Sequence, residues 1–510
     1  MPEQMFKKIQ KNILPQWKMC FLSALIMGIV AHLYKITNWL PNWDSLVFRY
    51  DAQNMLALGR WFLPVVCAPS SFYDLPWIAG LFAIVFHALG AVCICKALDI
   101  RKNTTAILIG ALVATFPTVT SVMMYNYVAD GYAIAFLLSC IAALLATKEK
   151  PNYVTAAIII AFAVGAYQAY ITVTIMILLV YLIGQLLKKE SDLKKLIIKS
   201  ISFLVTGAAG MMLYYLILLG LLKITGTTLL EYQGFDNAAA FEGINVLEAL
   251  YVIKNSFTSY FFDFTKGINT FAVINIMVFV AIIVLYLVDI IRNKLSTLKI
   301  VMFLICVAFL PIGASVLVFM NSVIDYHNLM KMGFVMFYML LVIQYEKAEF
   351  KNVKLNLAKL WAILVLTVLV VFNQTIIANV SYHKLHIAYE KSYGILIRIA
   401  DRIEQTEGSE KCGKIAIVGH LEESEAYGVS LPPDMTGTTD GLILRADDEV
   451  VGQSVMCSAI NDYCSKDYIF IHGAEKDEII KKTAHMNNWP GKNSIEIIDD
   501  VIVVKLGDER

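Results

Sequence analysis

Charge is scarce in this chain. Charged residues make up 16% of its 510 positions and hydrophobic ones 58%, against about 25% charge in an ordinary soluble domain. A water-soluble globule could not hide that much apolar surface. The sequence also lacks any G-x-G-x-x-G or Walker loop, any internal repeat and any low-complexity tract. A nucleotide-binding site, a solenoid and a disordered linker protein are therefore set aside, and nothing points to nucleic acid. The nine cysteines are scattered. Cys20, Cys67, Cys93, Cys95, Cys140 and Cys306 lie in or beside apolar runs without paired metal-ligand spacing, so they read as small core residues rather than as a zinc or redox set. The first apolar run has no small-residue cleavage site, which predicts a retained helix instead of a cleaved signal peptide.

What is abundant is long apolar runs. A membrane core about 30 Å thick needs about 20 apolar residues in helical form, and windows of about 19 residues place about eleven spans. These lie near 17–36, 75–98, 104–123, 131–147, 153–168, 170–187, 197–222, 270–291, 298–320, 329–345 and 357–379. The fold class expected is a polytopic α-helical membrane protein with a small C-terminal extracytoplasmic α/β domain. The run from Thr155 to Leu187 is too long for one helix and is interrupted by Gly165-Ala166-Tyr167-Gln168-Ala169-Tyr170, so it reads as two helices joined by a tight outer turn.

Lysine and arginine crowd alternate connections. One set carries residues such as Lys7, Lys8, Arg101, Lys102, Lys148, Lys188, Lys194, Lys299, Lys347 and Lys359; the other holds only Lys35, Arg49, Arg60, Lys223, Lys254, Lys266 and Lys331. The asymmetry predicts a cytoplasmic N-terminus and an external C-terminal region in a bacterial cytoplasmic membrane. The domain plan is a membrane domain over 1–380 with external loops at about 37–74, 123–130 and 223–269, a helical connector over 381–410 and a soluble α/β domain over 411–510. Within the last external loop, Val246 to Phe264 is amphipathic and predicts a helix at the interface. The tail reads as strands at 414–420, 468–472, 495–498 and 501–504, with a helix over 475–486.

Acids near a membrane are expensive, so their placement carries information. Asp44 and Asp51 lie in the first external loop and Asp130 at the second, within Tyr125-Asn126-Tyr127-Val128-Ala129-Asp130-Gly131-Tyr132. Asp51 reads as a solvated loop charge, and an N-cap is the alternative role for Asp130. His87, deep in the second span, reads as a core histidine.

The Asp44-Ser45 loop, Gly59-Arg60-Trp61-Phe62, Phe116-Pro117, Ala129-Asp130-Gly131-Tyr132, Tyr167-Gln168-Ala169-Tyr170 and His327-Asn328-Leu329-Met330, in this order, resemble the Gtr type II group of bacterial and phage O-antigen glucosyltransferases. The resemblance covers roughly residues 15–400. Many relatives carry two adjacent acids in the first loop, whereas here serine follows Asp44. It implies an integral-membrane glycosyltransferase of the C-type (GT-C) architecture. Such an enzyme moves a monosaccharide, glucose or another hexose, from a polyprenyl-phosphate carrier to a polysaccharide or lipid-linked glycan acceptor at the outer face of the membrane, with inversion.

The residues suit that chemistry. A hydroxyl attacking an anomeric carbon benefits from a carboxylate base, and the departing lipid phosphate needs cations or N–H donors. Asp44 is expected as the general base and Asp130 as the second acid, orienting the acceptor or a divalent cation. Arg60, Lys331 and His327 are expected at the donor phosphate, with headgroup snorkelling as the alternative. Trp61, Tyr127, Tyr132 and Gln168 are expected to contact sugar. Interfacial aromatic belts and, for Gln168, a bond across helices are the competing readings. No cofactor is required by the sequence. A secondary transporter or lipid-linked glycan flippase is the rival class; its ionisable groups would sit near the midplane, in paired halves, whereas these acids cluster at one face. A non-catalytic envelope-assembly protein is the third.

Overall fold

A computed structural model describes residues 3–4, 13–41, 45, 55–70, 74–230, 245–264, 269–319, 326–347, 353–421 and 449–508. The chain divides into two compact units, one of residues 1–37 and 52–379 and one of residues 38–51 and 380–510.

Ten helices of the described residues are long and apolar enough to cross a membrane. The protein is a multi-pass helical membrane protein. In the first unit the helices are α1 (Pro15–Thr37), the short α2 (Leu63–Cys67), α3 (Pro76–Ala97), α4 (Asn103–Thr115), α5 (Pro117–Met124), α6 (Asn126–Thr147), α7 (Tyr153–Ala166), α8 (Ile171–Leu186), α9 (Leu193–Thr225), α10 (Val246–Phe262), α11 (Thr270–Arg292), α12 (Thr297–Ala314) and α13 (Val335–Glu346). A long α14 (Val353–Gln405) begins in this unit and continues into the second. Burial sorts them by position. The segments 103–124 and 328–346 are almost wholly buried and form the centre, whereas α9 is mostly unburied and presents Ile201, Leu204 and Met212 outward as a lipid-facing helix would.

Several helices start or stop where the sequence dictates. Asn152, Asp192 and Asn269 cap α7, α9 and α11 through bonds to the amides of Thr155, Lys194 and Phe271. Gly226, at φ 68°, lets α9 end in the left-handed conformation. Pro117 forces Phe116 out of the helical region (φ −59°, ψ 136°), so the single predicted span 104–123 is two helices joined at a kink.

Two other expectations change. The external loop placed at 123–130 is a one-residue break at Tyr125 (φ −105°, ψ 63°), and α6 begins at Asn126. Asp130 is thus well inside the helix rather than its N-cap. The turn expected between α7 and α8 is present, as Tyr167 followed by a 3-10 turn over Gln168–Tyr170, but Ala166, Tyr167, Ala169 and Tyr170 are all buried. Helix α7 has 14 residues, about 21 Å at the usual rise. It ends short of a full span, which carries the break inside the bundle.

At the lysine-rich end, lysines satisfy the carbonyls that helix C-termini leave orphaned. Lys199 Nζ donates to Thr147 O (3.0 Å) at the end of α6, Lys299 Nζ to Lys188 O and Lys189 O (both 3.1 Å) beyond α8, and Lys102 Nζ to Tyr345 O (2.9 Å) in the last turn of α13. The basic loops therefore have a packing role besides any role in orientation. Helix α10 is amphipathic as expected. Phe257 and Phe261 pack against Phe279, Phe334 and Phe337, while Leu247 and Tyr251 are exposed.

The second unit holds a four-stranded sheet of order β2-β1-β4-β3, with β1 (Lys414–Val418), β2 (Ile469–Phe470), β3 (Ile495–Ile498) and β4 (Val501–Lys505). Strand β1 is parallel to β2 and β4, and β3 is antiparallel to β4 across a turn at Asp499 and Asp500, both at positive φ, as a tight hairpin requires. Alternation decides the two faces. Ile415, Ile417, Ile502 and Val504 pack with Leu396, Ile399 and Ile403 of α14 and with Met456 and Ile460 of α15 (Glu449–Cys464). Ala416, Val418, Val501 and Val503 pack with Ile479 of α16 (Ala474–Ile480) and with Met486. Arg402 locks α14 to the 489–494 loop by bonds to Gly491 O (2.7 Å) and Ser494 Oγ (3.1 Å), its guanidinium over Trp489 at 4.6 Å.

Candidate active site

At the end of the first unit opposite the lysines, four interruptions of helix meet: the 55–70 segment, the kink and break at Phe116 and Tyr125, the 167–170 turn, and a 3-10 helix over Asn328–Phe334. Hydrogen bonds tie them together. Phe62 N donates to Gly165 O (2.8 Å), Thr118 Oγ1 to Asn328 O (2.9 Å) and Asn328 Nδ2 to Ser121 Oγ (3.2 Å). Irregular backbone at membrane depth is tolerated only where protein buries it or where it lines a polar cavity. Here the break residues Phe116, Tyr125, Tyr167 and Asn328 are all buried by protein.

Arg60 emerges from the turn at Gly59 and donates from Nη1 to the Tyr132 hydroxyl at 3.0 Å. Its guanidinium also lies 5.1 Å from the centre of the Tyr167 ring. Tyr132 and Tyr167 stack on each other at 4.2 Å and 16°, and Tyr167 meets Tyr170 edge-on at 5.5 Å. The cation is thus held on a platform of tyrosines, where ring quadrupoles favour positive charge. Trp61 packs with Phe62 and Phe162. Gln168 Nε2 donates to Leu58 O (2.8 Å) and lies 3.4 Å from the Tyr214 hydroxyl, which itself donates to Gly59 O (3.0 Å). The bond across elements considered for Gln168 is present, and it fixes the turn that delivers Arg60.

Asp130 is buried in α6, its Oδ1 accepting from Gly131 N at 2.9 Å, with the side chains of Ser70 and Cys67 bonded to it. Burial, reinforced by the Asp130 charge, pushes the Cys67 thiol up, so the thiol stays protonated and serves as a donor. Gly131 permits this contact, since a Cβ there would meet Cys67 Sγ and Leu63 Cδ1 at 2.5 Å. A divalent cation does not fit Asp130 as placed, because the Cys67 thiol and the Gly131 amide donate to the carboxylate. Among the described residues no group of three His, Cys, Asp or Glu could hold a metal ion.

Lys331 is buried within the Asn328–Phe334 helix, its Nζ 5.5 Å from the centre of the Tyr260 ring. His327, half-buried, precedes that helix, and Tyr127 is buried in the first turn of α6. The structure thus brings Arg60 onto Tyr132, places Asp130 with Cys67 and Ser70, and sets Lys331 on Tyr260. Asp44 and its control Asp51 lie outside the described residues. Sequence reasoning did not single out Tyr214, Cys67 or Ser70. Tyr214 had no signal, sitting within an apolar helix, whereas Cys67 and Ser70 were close in sequence to Arg60.

A family model, Glucosyl transferase GtrII, matches residues 33–343, more than half of the chain. The chain belongs to this family. Comparison with curated proteins and with solved structures gave no match. The GtrII match includes every candidate site residue from Asp44 to Lys331, and it ends before α14 and the four strands of the sheet. GtrII membership makes the activity class glycosyl transfer, with a sugar donor and a glycan acceptor as the substrates in general terms.

Proposed function

We propose that this GtrII protein is an inverting, GT-C-type transferase that moves a hexosyl group from polyprenyl phosphate to a cell-surface glycan at the external face of the cytoplasmic membrane. The observation that carries the reading is the family match over the stretch that contains Arg60 on its tyrosine platform and Asp130 in its polar niche. In the reaction an acceptor hydroxyl forms a bond to the anomeric carbon while the bond from that carbon to the phosphate oxygen breaks. The hydroxyl proton passes to Asp44, and the lipid phosphate leaves with the electron pair. Arg60, with Lys331 and His327, meets the charge on that phosphate; Asp130 orients the acceptor; Trp61, Tyr127, Tyr132 and Gln168 bound the sugar. A fixed cation in a water-poor site stabilises departing charge far more than it would in water. The C-terminal domain over 411–510, which lies beyond the GtrII match, serves acceptor positioning or stability rather than bond-making.

Purified protein supplied with polyprenyl-phosphate glucose, galactose and mannose and a panel of glycans is expected to give a product with one added hexose by mass spectrometry. Product from nucleotide sugars alone would contradict the donor assignment. The sidedness has its own expectation. Cysteines introduced near Lys102, Lys194 and Glu475 and exposed to an impermeant reagent in intact cells should react only at the last. Reaction at Lys194 with none at Glu475 would reverse the orientation.

A further inference from the structure

We infer that Asn126, one helical turn from the Asp130 that orients the acceptor, binds a hydroxyl of the transferred sugar. The inference rests on the sugar-transfer reading and adds a specificity residue to it. Asn126 is the first residue of α6, directly after the Tyr125 break, and its side chain is 0% exposed. Neither Oδ1 nor Nδ2 has a hydrogen-bond partner among the described residues. Buried polar groups are nearly always bonded, and an unmet buried amide is destabilising. Thr118 and Ser121 of α5, by contrast, are both engaged with Asn328. Asn126 has not been placed to complete that network.

Position supplies the second part of the argument. Residues four apart on a helix share a face about one turn apart, so Asn126 and Asp130 stand together. An amide offers a donor pair and an acceptor, and the carboxylate beside it offers acceptors only. That combination suits neutral hydroxyls, each both donor and acceptor. It does not suit the lipid phosphate, whose charge the Asp130 carboxylate would repel. The sugar is the substrate part whose hydroxyls meet this description.

The test uses the full-length protein, polyprenyl-phosphate glucose and its 2-, 3-, 4- and 6-deoxy analogues, with kcat/KM for each. Asn126→Ala is expected to lower kcat/KM for the parent donor about 10- to 100-fold, the range of one buried hydrogen bond. With one deoxy analogue, wild type and variant should converge. An equal loss on every donor, or no loss on any, would overturn the inference; absence of wild-type turnover on every donor would overturn both this inference and the donor reading. Asn126→Leu separates function from structure. An apolar residue of similar size should keep or raise the thermal stability of the purified protein while activity falls. A marked fall in stability, with the deoxy series unchanged in ratio, would mark Asn126 as structural.

Discussion

Asp44→Asn is expected to lower hexose transfer by about 10²- to 10⁴-fold, the usual effect of removing a general base, with the protein folded and the donor still bound. The expectation follows from where charge moves. The attacking hydroxyl has a pKa far above neutrality and needs an acceptor for its proton as the new bond forms. Asp44 opens the connection after α1, within the GtrII match, and Asn keeps the shape of Asp without its basicity. Asp51→Asn, in the same loop, should leave turnover near the wild-type value. Rates and donor binding measured for the two variants decide the matter. If Asp51→Asn lost turnover and Asp44→Asn kept it, the base would be Asp51, and if neither mattered the acid-base account of the loop would fail.

Arg60→Ala should weaken donor binding and cut turnover about 10²- to 10³-fold, as loss of a charge-stabilising contact does. Two comparisons separate charge from architecture. Tyr132→Phe removes the 3.0 Å hydrogen bond to Arg60 but keeps the ring that stacks on Tyr167, so it should cost much less than Arg60→Ala. Arg60→Lys retains the positive charge without the planar fork and should recover part of the binding. Equal losses in Arg60→Ala and Tyr132→Phe, with donor affinity unchanged in both, would make Arg60 a brace for the tyrosines instead of a phosphate contact.

The membrane architecture was legible because a span needs about 20 apolar residues whatever its neighbours are. The polar stretch around Tyr167-Gln168 also marked a real break, whereas the break at Phe116-Pro117 lay inside a span read as continuous. Their burial was not legible. A loop and a buried interruption look alike in sequence, so Asp130 read as a residue at the start of a span although α6 starts at Asn126. Pairings were hidden for the same reason. Gln168 suited a sugar or another helix equally, and only packing shows its bonds to Leu58 and Tyr214. Lysines read as orientation signals proved also to cap helix ends, because a carbonyl that needs a donor leaves no trace in composition. In the tail, all four strands fell within a residue or two of their predicted places, being short β-branched runs. Helix α15 was passed over; its sequence, Glu449-Val450-Val451-Gly452-Gln453-Ser454, is weakly apolar and contains a glycine.

The most direct measurement of the central claim is transfer by the detergent-purified protein of a labelled hexose from polyprenyl phosphate to a glycan acceptor. In detergent there are no compartments, so movement of lipid across a bilayer cannot imitate the product. The account predicts labelled acceptor, formed with release of polyprenyl phosphate and greatly reduced in the Asp44→Asn variant. Unlabelled acceptor, together with passage of the intact donor across the bilayer when the same protein is placed in vesicles, would contradict it and make the protein a lipid transporter.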